Sequence, residues 1–175
     1  MAHAEQRDFF ESVKKGYPYY FINTRVLDIG SLDINGSIRD LFFGLYIGVD
    51  VAPGKGVDYV SLGHEFKSEP FDVVFSAETL EHDCFRALTI ENMKRLLKPK
   101  GLLLITAAGH GRPEHGTLKE DPACAPLLNK NSKMDPNFYE NVKISEIGKY
   151  LTEDEFSNIM IHYSGQDIYI YAIKR

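Results

Sequence analysis

The segment Gly30-Ser31-Leu32-Asp33-Ile34-Asn35-Gly36 follows a short apolar run, and Asp50 closes the next such run, 20 residues after Gly30. Glycine lets a chain turn tightly against a ligand, and a carboxylate at the end of a second strand can accept both hydroxyls of a ribose. This pairing points to a nucleoside-type cofactor, set against the plainer reading of a strand-to-helix turn with a surface aspartate. A nicotinamide or flavin dinucleotide fits less well. Its pyrophosphate wants successive amides from a Gly-x-Gly-x-x-Gly turn, whereas Asp33 stands at the centre of this loop. Asp28, Asp33, Asp50 and Glu78 together suit a cationic ligand that carries no phosphate, and Asp28 has the alternative of bonding backbone within the loop.

A second polar group is the run His110-Gly111-Arg112-Pro113-Glu114-His115-Gly116-Thr117, which combines both charge signs with imidazoles that titrate near neutrality. It reads either as a shaped loop that handles a substrate or as a surface loop whose polar groups pair with one another. With His64 and His82 it puts four histidines after successive strands, an arrangement that invites zinc or iron held together with Glu78 or Glu114. Their spacings match no metal-binding motif, so no metal is expected. For each histidine, a hydrogen bond that braces a loop is as good a reading as catalysis.

The elements that must position these groups follow from periodicity. Phe9, Phe10, Val13 and Tyr17 recur at helical spacing ahead of Pro18, predicting a helix over 4–15 with an aromatic tail of Tyr17, Tyr19, Tyr20 and Phe21. Short apolar runs predict strands over 25–30, 45–50, 57–61, 71–76 and 101–107. Ile38, Leu41 and Phe42 mark a short helix, and Ala87, Ile90, Met93 and Leu97 a longer one that Pro99 and Gly101 stop. A helix over 144–151 and a further helical turn at Thr152 and Glu155 precede a terminal strand pair, 158–163 and 167–173. Strands that are apolar on both faces, alternating with helices, imply a sheet covered on both sides, with its ligand beyond the carboxyl ends of the strands.

Four segments in order then resemble the class I S-adenosylmethionine-dependent methyltransferases. They are residues 26–31 (VLDIGS), 46–50 (YIGVD), 71–82 (FDVVFSAETLEH) and 93–101 (MKRLLKPKG). The resemblance implies an α/β, Rossmann-like methyltransferase fold, with a mostly parallel seven-stranded sheet, an antiparallel terminal strand and helices on both faces. It implies S-adenosylmethionine as cofactor. Gly30, Ser31, Asp33, Asn35 and Gly36 would carry its methionine part, Asp50 and Val51 the ribose, Gly63 and His64 the adenine, and Ser76, Ala77 and Glu78 the floor beneath the sulfonium. Leu32 and Ile34 stand where the family usually has glycines, so the loop is longer than usual, with Asp33 and Asn35 turned toward the ligand or holding the turn. Methyl transfer to a small-molecule acceptor is the expected function, with His115 or His110 as base, Glu114 beside them, and Arg112, His82, Tyr19 and Tyr20 contacting the acceptor. Core packing is the commoner role for such tyrosines. The rival reading is a non-catalytic module that binds the cofactor or its demethylated product and contacts a protein partner.

Composition bounds the rest. A chain of 175 residues is expected to form one domain, 1–175, in which 1–22 is the N-terminal helix and aromatic segment and 108–141 is a loop or flap over the acceptor site. The net charge of -5 has the wrong sign for gripping phosphate backbones, so nucleic acid is not an expected partner. No apolar stretch approaches the roughly 18 residues that span a bilayer, residues 1–11 lack the pattern of a secretory signal, and Cys84 and Cys124 form no Cys-x-x-Cys spacing. A cytoplasmic location away from membranes, with reduced thiols, is the expectation.

Overall fold

Valine, isoleucine, leucine and phenylalanine occupy consecutive rather than alternate positions in the central strands, because both faces of those strands are covered. The computed structural model describes residues 4–175, so residues 1–3, including His3, lie outside the described residues. Seven strands form one sheet: β1 (Ile22–Ile29), β2 (Phe43–Asp50), β3 (Tyr59–Val60), β4 (Phe71–Ala77), β5 (Leu97–Ala108), β6 (Phe156–Ser164) and β7 (Asp167–Lys174). Their order is β3-β2-β1-β4-β5-β7-β6. The first five run parallel, and β7 pairs antiparallel with both β5 and β6. The strand order reverses between β1 and β4, the place where such a sheet opens a crevice at its carboxyl edge.

Alternate side chains divide the core into two halves. Val26, Val73, Phe75, Leu102 and Leu104 point to one face, where α1 (Ala4–Gly16) lays Phe10 and Val13 against them. Leu27, Ile29, Val74, Leu103 and Ile105 point to the other, against Ile90, Met93 and Leu96 of α2 (Arg86–Leu96). The α1 face is aromatic: Phe75 meets Phe10 edge-on at 5.2 Å and stacks on Phe42 at 5.7 Å. Tyr20, in the 3-10 turn Pro18–Phe21, donates its hydroxyl to the Lys100 carbonyl at the start of β5.

Several expected elements are shorter than their pattern suggests. The stretch around Ile38 forms only a 3-10 turn, Arg39–Leu41, and no α-helix separates β1 from β2. Too few residues lie between Gly30 and Phe43 for a ligand loop and a full helix together. The consequence is an uncovered margin on which Phe43 and Leu45 are 63% and 54% exposed. β3 keeps two residues of the expected five. The helix expected over 144–151 is the single turn α3 (Ile144–Ile147), and Thr152 and Glu155 make a turn into β6 instead of a further helix. No helix of the described residues is long and apolar enough to cross a membrane.

Since Phe75 is fully buried at the centre of the aromatic half-core, Phe75→Ala should cost about 3–5 kcal/mol through lost burial and the cavity left behind. Urea unfolding measures this. A loss below about 1 kcal/mol would mean that the α1 face is not a packed core.

Candidate functional site

The loops that leave β1, β2, β3 and β4 at the carboxyl edge surround a cleft of about 710 Å³, open to solvent. Gly30 and Leu32 come from the first loop, Asp50 and Val51 from the second, Leu62 and Gly63 from the third, and Glu78, Thr79 and His82 from the fourth. Gly30 has φ +88°, and a Cβ there would lie 1.9 Å from Thr79 Oγ1. Only glycine lets the first and fourth loops approach this closely. The Asp50 carboxylate accepts hydrogen bonds from the amides of Val51 (2.7 Å) and Leu32 (3.0 Å), so it both faces the cleft and holds the first loop in place. These two bonds give Asp50 a structural part as well as a place in the cleft.

Gly30, Asp50, Val51, Gly63 and Glu78 therefore converge on one cleft. Ser31, Asp33, Gly36 and Ala77 do not line it; they border a smaller opening on the α1 side, with Gln6 and Asp28. Asp33 is committed to its turn, taking the Gly36 amide at 2.8 Å and the Lys55 ammonium at 2.7 Å. Asn35 is exposed beside it. His64 packs its ring on Phe85 at 4.7 Å, outside the cleft lining, and Ser76 is wholly buried in β4. The far wall was missed: Cys124, Ala125, Pro126, Leu127, Leu128 and Met134 close the cleft from the long segment after β5. Leu127, Leu128 and Met134 are the signal that could have revealed this, being apolar in a stretch otherwise rich in charge and proline.

A second pocket, also open to solvent, adjoins the first and shares Glu78, His82 and Cys124 with it. Arg112, Pro113, Glu114, His115 and Asp121 complete it. Arg112 is clamped by both oxygens of Asp167 at 2.7 and 2.8 Å. Glu114 accepts the Thr117 hydroxyl at 2.8 Å. His115 Nδ1 lies 3.0 Å from the Pro113 carbonyl, which can only accept, so Nδ1 carries the hydrogen and Nε2 keeps its electron pair. The His115 ring meets His82 and Tyr139 edge-on, each at 5.0 Å. His110 is exposed and lines neither pocket. Tyr19 and Tyr20 are a correction. Their rings meet at a tilt, 4.5 Å apart, at the opposite end of the parallel strands, where Tyr20 bonds Lys100, and so cannot touch a ligand at the carboxyl edge.

Burial sets the electrostatics of this edge. It pushes the Glu78 carboxyl up to about 8, with the neighbouring Glu81 charge adding to the effect, and it raises Glu81 and Asp50 as well. His82 is pushed down to about 3 by burial and then by the charge of His115, so its imidazole is neutral. Glu78 also sits at φ +51°, a sparsely populated backbone conformation for a residue with a Cβ. A wall of buried carboxyls suits a cation, whose charge would offset the cost of ionising them.

Behind the first loop, Asp28 accepts the Tyr46 hydroxyl at 2.7 Å and is raised to about 7 by burial, which outweighs that bond. A carboxyl raised in this way binds more protons folded than unfolded. Its stabilising contribution is complete below about 3.8 and is lost as pH climbs through about 7. Asp28→Asn keeps an acceptor for Tyr46 and should make the fall in melting temperature between those two pH values shallower. An unchanged slope would show that Asp28 does not titrate there.

A family model described as a methyltransferase domain matches residues 57–162. No curated protein is matched by the sequence. Among solved structures, the chain is similar to the Burkholderia thailandensis 1,6-didemethyltoxoflavin-N1-methyltransferase, determined with 1,6-didemethyltoxoflavin and S-adenosylhomocysteine bound. The identity is 14% and the TM-score 0.68, over 98% of this chain and 78% of that one. It is also similar to the Synechocystis magnesium protoporphyrin IX methyltransferase with bound S-adenosylhomocysteine, at 15% identity and TM-score 0.63, over 100% and 89% of the two chains. A third is an Archaeoglobus fulgidus SAM-dependent methyltransferase, at 19% identity and TM-score 0.61, over 96% and 94%.

Proposed function

The chain belongs to the S-adenosylmethionine-dependent methyltransferase family, and from this we propose that it methylates a small molecule held in the second pocket, beside the cofactor cleft. The observation that carries this reading is the shared wall: Glu78, His82 and Cys124 line both cavities, so a ligand in one can reach a ligand in the other. The similar Burkholderia and Synechocystis enzymes are named for small-molecule acceptors, which favours the same class here.

The residues of the first cleft fit the cofactor. Asp50 stands where a ribose would be held, Leu62, Leu127, Leu128 and Met134 form an apolar slot for a flat base, and the buried Glu78 carboxyl faces the cleft where a positive sulfonium would gain from it. When bound, the cofactor supplies an activated methyl group open to in-line displacement. The protein's part is then alignment, since the methyl is already electrophilic. Arg112, fixed by Asp167, and Glu114 orient the acceptor, while His115 activates it through the electron pair on Nε2.

S-adenosylhomocysteine should raise the melting temperature of the wild-type protein by mass action, and NADH should not. Asp50→Ala should weaken that ligand by about 1.5–3 kcal/mol, the scale of hydrogen bonds to a charged group. It should also lower stability by loosening the loop that Leu32 anchors. Calorimetric titration measures the first effect. Wild-type affinity in a folded Asp50→Ala protein would place the cofactor elsewhere.

Substitutions in the second pocket should separate binding from turnover. His115→Ala and Glu114→Gln are expected to leave S-adenosylhomocysteine affinity within a factor of about three, yet to lower methyl transfer into a metabolite extract by ~10²-fold. Labelled cofactor followed by mass analysis of the methylated product supplies the readout. Undiminished transfer in both variants would remove the post-β5 loop from the reaction.

A further inference from the structure

We propose that Glu81, His82 and His115 bind a divalent transition-metal ion beside the second pocket, and that an oxygen of the acceptor completes its coordination. Each of these side chains offers one donor atom, and the three donor atoms lie within 4.8 Å of one another. Metal bonds near 2.0–2.1 Å set tetrahedral donor atoms about 3.3 Å apart, so the three draw together when an ion binds.

Three independent features make this more than proximity. Glu81 is wholly buried; the amides of Glu81 and Ala108 face its carboxylate, but neither completes a hydrogen bond, and both oxygens lack a partner among the described residues. Buried carboxylates are ordinarily paired or bound to metal, because an isolated one is costly. His82 Nδ1 is likewise buried without a partner. The His115 Nδ1–H donates to the Pro113 carbonyl, the arrangement that fixes the ring and tautomer of a metal-bound histidine while leaving Nε2 to bind. Packing against Tyr139, tilted for His82 and edge-on for His115, accounts for the positions of both imidazole rings, but it gives the Glu81 carboxylate nothing.

The donor set selects the ion. Two imidazoles and one carboxylate suit zinc, iron, cobalt or nickel in the divalent state, whereas magnesium and calcium take mainly oxygen ligands. Three protein ligands leave coordination positions open, and because His82 and His115 line the second pocket, those positions face it. The expected acceptor is therefore one with a hydroxyl or enol group. With His115 Nε2 on the ion, the ion replaces that imidazole as the activator: a group bound to it loses its proton to solvent more readily. The oxygen electron pair forms the new O–CH3 bond, and the pair of the breaking C–S bond returns to sulfur, leaving a neutral thioether. Access of the ion to an acceptor rests on the second pocket being the acceptor site. Binding of the ion itself does not.

The test is titration of chelator-treated protein with Co2+, followed by its visible ligand-field absorption. Wild-type protein and His162→Ala, which alters an exposed imidazole on β6, should each bind one Co2+ per chain. His115→Ala and Glu81→Gln should bind about 100-fold more weakly or worse, beyond the ~10–100-fold lost when only a group behind a metal ligand is removed. Both variants should still be stabilised by S-adenosylhomocysteine, which shows that they are folded. Because His115 lies in a loop, its variant reads the site even if Glu81→Gln unfolds. Wild-type Co2+ affinity in His115→Ala, or displacement of Co2+ by equimolar Mg2+, would overturn the site. Methyl transfer into a metabolite extract that is indifferent to chelator and to added Co2+ would overturn the ion's role toward the acceptor. By contrast, absence of any transfer despite intact binding of both Co2+ and S-adenosylhomocysteine would count against the acceptor pocket itself.

Discussion

The close approach of Gly30 to Thr79 is the constraint on which the carboxyl edge of this sheet depends. β1 and β4 are neighbours at the point where strand order reverses, and their loops must leave in different directions while remaining in contact. A single Cβ at Gly30 would overlap the Thr79 side chain. With that contact made, Leu32 comes within reach of the Asp50 carboxylate, and the cleft acquires a floor from β4 and a rim from β2. The glycine serves the protein's own packing as much as any ligand.

The same edge concentrates acidic groups that are wholly or partly withdrawn from water. Glu81 is wholly buried and Asp50 and Glu78 are half-buried, and burial raises all three carboxyls. Such groups detract from folding stability when ionised, so their retention at a ligand site is consistent with a positive charge arriving there. The sulfonium of the cofactor answers this on one side of the shared wall, and the proposed metal ion answers it on the other. Glu78 and His82 stand between the two.

The fold achieves this with few helices. α1 and α2 cover the two faces of the sheet, and the connections through β1, β2 and β3 are loops and a 3-10 turn. Material that a longer chain would place in those helices is supplied by residues 109–141, which wrap back over the carboxyl edge. Leu118 donates its amide to Pro136 within the segment, and where the segment ends Glu140 donates to the Glu81 carbonyl in the loop after β4 and Val142 to Ala108 of β5. Arg86 adds a buried anchor, bridging Glu140 and Glu146 at 2.7 Å each. One irregular segment thereby builds walls of both pockets.

Local pattern was enough to establish the strands, because a parallel strand buried on both faces needs an unbroken run of branched and aromatic side chains wherever it lies. Residues 71–76 and 101–107 carry such runs irrespective of their neighbours. Gly30 and Asp50 were legible for a similar reason, since a turn glycine and a strand-end carboxylate are tied to chain positions the pattern already marks. Helix lengths were not, because the short stretch around Ile38 has apolar spacing but too little chain to form a helix and also span the loop. Nor were the roles of Asp33 and Tyr20, whose partners Lys55 and Lys100 are chosen only when the turn and strand ends meet. The grouping of Glu81, His82 and His115 is the clearest case. Adjacent residues after β4 meet a histidine from the loop after β5 because those strands pair in parallel, and that pairing brings their carboxyl ends together at a separation no sequence spacing records.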